Sequence, residues 1–169
     1  RAAIQRLQAE GLVIVNPHAS AIVAPVDPEK IDEIFALLES LERAAYSSAC
    51  QKRTEADLQQ LEQLVGQMEV VIVEPNPAAW LALNSAFHRR IAMIAAMPLL
   101  ADFTNRTLDE WERISRHYFS NVTSARLPQS QGEHKQIVSL LRARDVEALE
   151  ALAATHNREA NSSYQAMLK

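Results

Sequence analysis

Five histidines are spread along the chain, and three of them sit where an imidazole could meet a metal ion. His88 follows Asn84 by one helical turn in "AAWLALNSAFHRRIAMIAAM", a stretch with the apolar content of a buried helix. His134 shares a helical face with Ile137, Val138 and Leu141, and His156 shares one with Leu149, Leu152 and Ala153. A lone inward histidine is usually a core residue bonded to a neighbour. Three on three helices, all phased towards one interior, leave three acceptor nitrogens in need of a partner, and a buried polar group without one costs about 1–3 kcal/mol. A divalent transition ion of the zinc or nickel kind meets that need, because imidazole is its commonest ligand. Asn84 lies on the same face as His88 and could add an oxygen ligand. Such a set leaves coordination positions for water or for an anionic ligand. His18 and His117 do not share this phase.

Other chemistry is poorly supplied. The chain has no Gly-rich phosphate loop, and no serine stands in a nucleophile motif. Cys50, with no adjacent histidine, reads as inert. Arg89 and Arg90 read as a solvated face. Arg1 and Arg6, on one short helix, could meet phosphates, although two basic residues on a helix are ordinarily surface.

The elements that must position these residues follow from composition and pattern. The 169 residues are 48% hydrophobic, enough for one main core. Three glycines and 5% aromatic residues, with abundant Ala, Leu, Glu and Gln, favour helices. A net charge of −4 excludes a chain-wide nucleic-acid glove. The single cysteine excludes an intramolecular disulfide and fits a reducing compartment. There is no run of 18 apolar residues and no stretch like a signal peptide. The expectation is a cytoplasmic protein with no membrane partner, in which the sequon Asn121-Val122-Thr123 is a chance match. The chain opens on Arg1 rather than Met, as a fragment or a processed chain would.

Residues 1–10 pattern as a helix that stops at Gly11. Two short apolar runs, 12–15 and 21–24, flank the turn-like Asn16-Pro17-His18-Ala19-Ser20 and predict a β-hairpin. Together they form the back half of a winged helix, over residues 1–25. From 26 to 169 the pattern is helical and predicts an antiparallel bundle of about six helices. Asp27 with Pro28 caps the first, with Ile31, Ile34, Phe35, Leu38, Leu41, Ala45 and Ala49 on its apolar face. The second starts at Thr54 with Asp57 three residues on. Residues 70–77, "VVIVEPNP", read either as a short strand or as the tail of that helix. Asn76-Pro77 opens the third, which ends before Pro98. The fourth runs from 98 to about 119. Residues 120–129 read as a polar loop, followed by a Ser130/Glu133 capping box for the fifth. "RARD" is a tight break, and Asp145 caps a sixth helix reaching Met167.

Three stretches then carry a resemblance to a known family. "RAAIQRLQAEGLVIVNPHASAIVAP" is similar to the end of the recognition helix and the wing of GntR-superfamily transcription regulators of the FadR branch. "IDEIFALLESLERAAYSSAC" resembles the first helix of their C-terminal effector domain, called FCD, with Glu42 at its characteristic acidic position. "NSAFHRRIAMIAAMPLL", "EHKQIVSLLRARDVEAL" and "ATHNREA" resemble its metal-site segments. The resemblance implies a metal site at Asn84, His88, His134 and His156, with Asn84 standing where Asp is more usual. Leu38 stands where many members carry an Arg that helps hold an organic anion, and Arg106 and Arg113 on the fourth bundle helix are the candidates to replace it. The resemblance further implies a homodimer, a small-molecule effector, and operator DNA bound through the winged helix, with no catalytic residues. Two other classes use the same residues: an enzyme with the ion as Lewis acid, and a helical interaction module with structural histidines. The wing-like start separates the first from both, because an enzyme has no use for the end of a recognition helix.

Overall fold

The first helix, α1 (Ala2–Ala9), stops where the backbone turns left-handed. Gly11 has φ 72°, and the Leu12 N–H donates to the Leu7 carbonyl at 2.8 Å. Only a residue without a Cβ takes that conformation cheaply. Strands β1 (Val13–Val15) and β2 (Ala21–Val23) follow as an antiparallel pair, with Val13 opposite Val23, Ile14 opposite Ile22 and Val15 opposite Ala21. The helix stop and the hairpin are as the sequence predicts. This computed structural model describes residues 2–15, 20–25, 27–73, 76–118 and 120–168, without the side chains of 117–124. Arg1, the turn at 16–19 with His18, and the side chains of His117 and of the sequon therefore lie outside the described residues.

Local caps start the bundle helices where the sequence places them. The Asp27 carboxylate accepts the Glu29 N–H at 3.0 Å over a 3₁₀ turn (Pro28–Lys30), which leads into α2 (Ile31–Lys52). Thr54 and Asp57 exchange bonds, Thr54 N–H to the Asp57 carboxylate at 2.8 Å and Asp57 N–H to Thr54 Oγ1 at 3.2 Å, ahead of α3 (Glu55–Val73). Residues 70–73 are helical, which resolves that segment as the tail of α3. The Asn76 side chain accepts the Ala79 N–H at 3.0 Å and starts α4 (Pro77–Ile94). Then come α5 (Pro98–Tyr118), α6 (Ser120–Ala143) and α7 (Val146–Leu168). Arg144, at φ 57°, makes the break before α7, and Asp145 caps it by accepting the Ala148 N–H at 3.1 Å.

The helices α2 to α7 form an all-α bundle in which α2 packs along α7, α5 and α4, α3 lies on α4 and α6, and α6 lies on α7. Tyr46, Phe87, Leu58, Leu61, Met68, Ile91, Ile114, Ile137 and Leu141 are fully buried between them. Among the described residues, no helix is long and apolar enough to cross a membrane.

Two sequence expectations are corrected. Residues 120–129 are not a loop: α6 begins at Ser120 and runs across Pro128, and Ser130 and Glu133 lie well inside it rather than at its start. The buried face of this part of α6 is Arg126, Leu127, Ser130, Gln131 and His134, which is mostly polar. Gln131 ties that face to α3 by donating to the Val65 carbonyl at 2.8 Å. Such contacts outweigh the one backbone bond that Pro128 removes. Likewise, Arg89 and Arg90 are not a solvated face. Arg89 donates to the Asn105 carbonyl and to Asp109 on α5, and Arg90 donates to Asp57 on α3 at 2.5 Å.

Arginines also close the helix ends. Arg53 donates to the carbonyls of Leu141 and Arg142 at 2.9 and 2.6 Å, and Arg144 donates to those of Cys50 and Gln51 at 3.0 and 2.8 Å. These are last-turn carbonyls of α6 and α2, which have no partner inside their own helices.

Candidate metal centre

Three helices deliver one histidine each to a common point: His88 from α4, His134 from α6 and His156 from α7. The ring centroids form a nearly equilateral triangle, with sides of 5.4, 5.4 and 5.3 Å. One ring nitrogen from each lies within 4.8 Å of the others, and all three residues are buried. Helix periodicity explains the inward phase, since each histidine falls on the apolar stripe of its own helix. Phe87 and Trp80 flank His134 at centroid distances of 4.8 and 6.1 Å.

Carboxylates orient two of the rings. His88 Nδ1 lies 2.7 Å from Glu42 Oε1 of α2 and 2.9 Å from the Tyr46 hydroxyl. His156 Nδ1 lies 2.5 Å from Glu133 Oε2 of α6. An Nδ1–H that donates to a carboxylate fixes the tautomer and leaves the Nε2 lone pair free, which is the outer-shell arrangement of metal-bound histidines. His134 differs: both of its ring nitrogens are buried without a partner.

The electrostatics keep these groups ready to ligate. Burial, then the nearby His156, His88 and Arg126, hold the His134 imidazole well below the usual histidine range. Burial also lowers His156, against the opposing pull of Glu133 and Glu42. Both imidazoles are therefore neutral at neutral pH, the form that binds metal. Burial pushes the Glu42 carboxyl up, but His88, His156 and the Asn157 amide outweigh it and leave Glu42 below the ordinary carboxylate value. Glu133 is likewise lowered overall, with burial opposed by His156, Arg126 and Gln129.

The donor set fits a divalent ion on an observation of its own. A buried imidazole with two unpartnered nitrogens forfeits about 1–3 kcal/mol, and an ion at its lone pair removes part of that loss. His88, His134 and His156 would hold the ion. Asn84 is buried one turn before His88 and lines the same cavity. That cavity has a volume of about 40 Å³, is partly open to solvent, and is walled by Phe35, Leu38, Trp80, Trp111, Arg126 and Tyr164 among others.

The other candidates from sequence lie elsewhere. Arg106 is exposed and pairs with Asp102 at 2.9 Å, Arg113 pairs with Glu110 at 2.7 Å, and both border a separate surface cleft beside Glu10, Gly11 and Lys30. The reason is phase: α5 turns Leu108 and Trp111 to the cavity, and residues 106 and 113 fall on another face. Neither replaces an arginine at Leu38, which is buried in the cavity wall. Arg6 is exposed on α1 and bonded to Glu10 at 3.0 Å.

Two residues that matter here are absent from the candidates the sequence offers. Arg126 is buried in the cavity wall and donates to Ser130 Oγ at 2.6 Å, to both oxygens of Glu133 and to the His156 carbonyl. Glu133 joins Arg126 to His156. The only sequence signal for Glu133 is its place directly before His134, where it reads as half of a capping box.

The FCD-domain family model matches residues 33–159. No curated protein matches the chain. Among solved structures, Escherichia coli McbR/YncC is similar with a TM-score of 0.86 at 20% identity, covering 98% of this chain and 83% of that one. A GntR-family transcriptional regulator from Pseudomonas syringae pv. tomato is similar with a TM-score of 0.69 at 28% identity, covering 98% of this chain and 69% of that one. Streptococcus agalactiae GntR gives a TM-score of 0.69 at 18% identity, covering 95% and 78%. With the family model matching three quarters of its length and the solved structures sharing its helical bundle, the chain belongs to the FCD-domain family.

Proposed function

We propose that this chain is the sensing part of a metabolite-responsive GntR-type transcription regulator, whose effector domain holds a divalent ion on His88, His134 and His156 with Asn84 as an oxygen ligand. The family match and the regulator relatives support the regulatory role and weigh against an enzyme. The observation that carries the metal role is His134: a fully buried imidazole with no partner, beside two others whose Nδ1 atoms are committed to carboxylates. An ion of the zinc or nickel kind suits three neutral imidazoles, and it would supply an electropositive point for a small anionic effector. The chain's own residues do the rest: Glu42 and Glu133 orient the rings, and the aromatic wall limits water.

Residues 1–25 serve in this reading as the end of a winged helix and its wing, with Arg1 and Arg6 facing DNA phosphates, and 26–169 as the effector and dimerisation domain of a cytoplasmic homodimer. Operators with two-fold symmetry match a two-fold dimer. The route of coupling is short. Helices α2 and α5 border both the histidine cavity, through Leu38 and Leu108, and the cleft against Glu10 and Gly11, through Leu37 and Thr107. A ligand that shifts α2 and α5 therefore acts on the segment that joins α1 to the hairpin, and the coupling is the free energy linking the two sites.

The test is a zinc titration against a competing chelator for the parent and for Asn84→Asp. One ion per chain is expected in the parent. A carboxylate oxygen is the stronger partner for a divalent cation, so Asn84→Asp should tighten zinc by about 10-fold. Unchanged affinity removes Asn84 from the ligand set, and no zinc uptake in either protein rejects the metal role.

A further inference from the structure

Two adjacent residues of α7, His156 and Asn157, are both buried and face different walls. Neighbours on a helix point about 100° apart. His156 turns to the other two histidines, and Asn157 turns to α2, where its amide nitrogen donates to Glu42 Oε2 at 2.7 Å. The same nitrogen donates to the Ala153 carbonyl at 3.0 Å, one turn back in its own helix. Both neighbours are acceptors, so the nitrogen of the amide, not its oxygen, must face them. Two bonds from one NH2 group fix the plane of that amide.

Glu42 divides its oxygens between two helices. Oε1 lies 2.7 Å from His88 Nδ1 of α4, and Oε2 takes the Asn157 bond from α7. Glu133 is arranged in the same way: Oε2 meets His156 Nδ1, and the Arg126 guanidinium backs both oxygens. Each carboxylate that orients a ring thus has a donor behind it. The two supports are interleaved. Helix α6 supplies His134 and, one residue earlier, the carboxylate for the α7 ring. Helix α7 supplies His156 and, one residue later, the donor behind the carboxylate for the α4 ring.

Packing alone does not call for an amide at position 157. The other buried residues of α7 are Leu149, Ala153, His156, Ala160 and Tyr164, and an apolar side chain among them would avoid the cost of desolvating an amide. What Asn157 adds is a fixed donor for Glu42 Oε2. Without it Glu42 can turn about its own side-chain bonds, and His88 loses the fixed direction of its Nδ1 contact.

We propose that Asn157 is a positioning residue for His88. It acts through Glu42, and it holds the α4 imidazole with Nδ1 towards α2 and Nε2 towards the other two rings. The expected effect on zinc rests on the metal reading above, and the expected effect on the ring does not.

Two measurements test this role. The first is zinc affinity, by chelator competition, for the parent, Asn157→Leu, Glu42→Gln and the double variant. Asn157→Leu keeps the volume and removes the donor, and should weaken zinc by about 10-fold, as expected for a lost outer-shell partner. In the Glu42→Gln background the same change should cost less than about 2-fold, because the residue it acts through is already altered. The second measurement uses zinc-free protein and long-range proton–nitrogen NMR spectra of its labelled histidines. His88 should carry its proton on Nδ1 in the parent. Asn157→Leu should move the His88 ring signals and leave those of His156, whose carboxylate is held from α6. A residue that only supports the fold would not single out one ring. Asn157→Ser, which removes the same donor without adding apolar bulk, takes the place of Asn157→Leu if that variant does not fold. Unmoved His88 signals, parental zinc affinity, or an equal loss of zinc with and without Glu42→Gln overturns the proposal. If the parent takes up no zinc, the metal reading fails, and the His88 signals alone decide the role of Asn157.

Discussion

Two polar regions of the bundle are built from similar residues and treated in opposite ways. At the ends of α2 and α6, Arg53 and Arg144 donate to four helix-terminal carbonyls, and Arg142 pairs with Glu55 and Glu62 at 2.8 and 2.7 Å. Each of these groups has a partner, and the arrangement does what a cap does. Around the histidine cavity, nitrogens of His134, Trp80, Trp111 and Arg126 are buried with none. Folding alone explains the first region. It does not explain the second, because unpaired buried polar groups are selected against unless something else completes them. The difference separates polar residues that hold the fold together from polar residues kept for a ligand.

Mutations should respect that division. The largest effect is expected from His88→Ala. It removes a ligand and leaves the Glu42 carboxylate buried with the Tyr46 hydroxyl and the Asn157 amide as its bonding partners among the described residues. Zinc affinity should fall by more than the roughly 10–100-fold typical of losing an outer-shell partner, and stability by about 3 kcal/mol. Chelator competition and urea unfolding read the two losses, and a variant with parental zinc content would place His88 with the structural residues instead.

Arg53→Ala should do the reverse. The Arg142 carbonyl loses its donor and the Leu141 carbonyl keeps only the Arg144 N–H at 3.2 Å, at a cost of about 1–2 kcal/mol, and zinc affinity should stay within about 2-fold of the parent. A large loss of zinc in Arg53→Ala would show that the two regions are not independent.

The smallest effect sharpens the same contrast through pH. Unfolded histidine titrates near 6.5, and folded His134 and His156 titrate lower. Below about pH 6.5 the unfolded chain binds protons that the folded one refuses, so metal-free protein loses stability as pH falls through this window. The lowered Glu42 and Glu133 add their own loss only below the ordinary carboxylate value near 4.5. Unfolding midpoints between about pH 7.5 and about pH 5 should show a slope of at most about 1.4 kcal/mol per pH unit for each histidine. His134→Gln should flatten it, and an equal slope in that variant would assign the dependence to other groups.

Much of this organisation is written locally in the sequence. Asn76-Pro77, Thr54 with Asp57, and Asp145 are caps that act within four residues, and the apolar stripes around His88, His134 and His156 repeat at helical spacing. Those signals suffice to place the helices and to turn three histidines inward. What the sequence hides are polar residues buried by partners far along the chain. Arg126, Ser130 and Gln131 look like surface, so the first turns of α6 read as a loop. Arg90 finds Asp57 across 33 residues, and Asn157 finds Glu42 across 115. Leu38 points to a missing arginine, but nothing in a one-dimensional pattern says that Arg126 borders the same space from α6. Arg106 and Arg113 are closer to the expected type and fall on the wrong face of α5.

The central claim is that His88, His134 and His156 converge to hold one divalent ion. Crystals grown with zinc, measured on both sides of the zinc absorption edge, test it directly. The account predicts one anomalous peak per chain at about 2.0–2.1 Å from a nitrogen of each of the three rings, with Nδ1 of His88 and His156 still on Glu42 and Glu133. A fully zinc-exposed crystal with no peak among these rings, or with its zinc only on surface carboxylates, would contradict it.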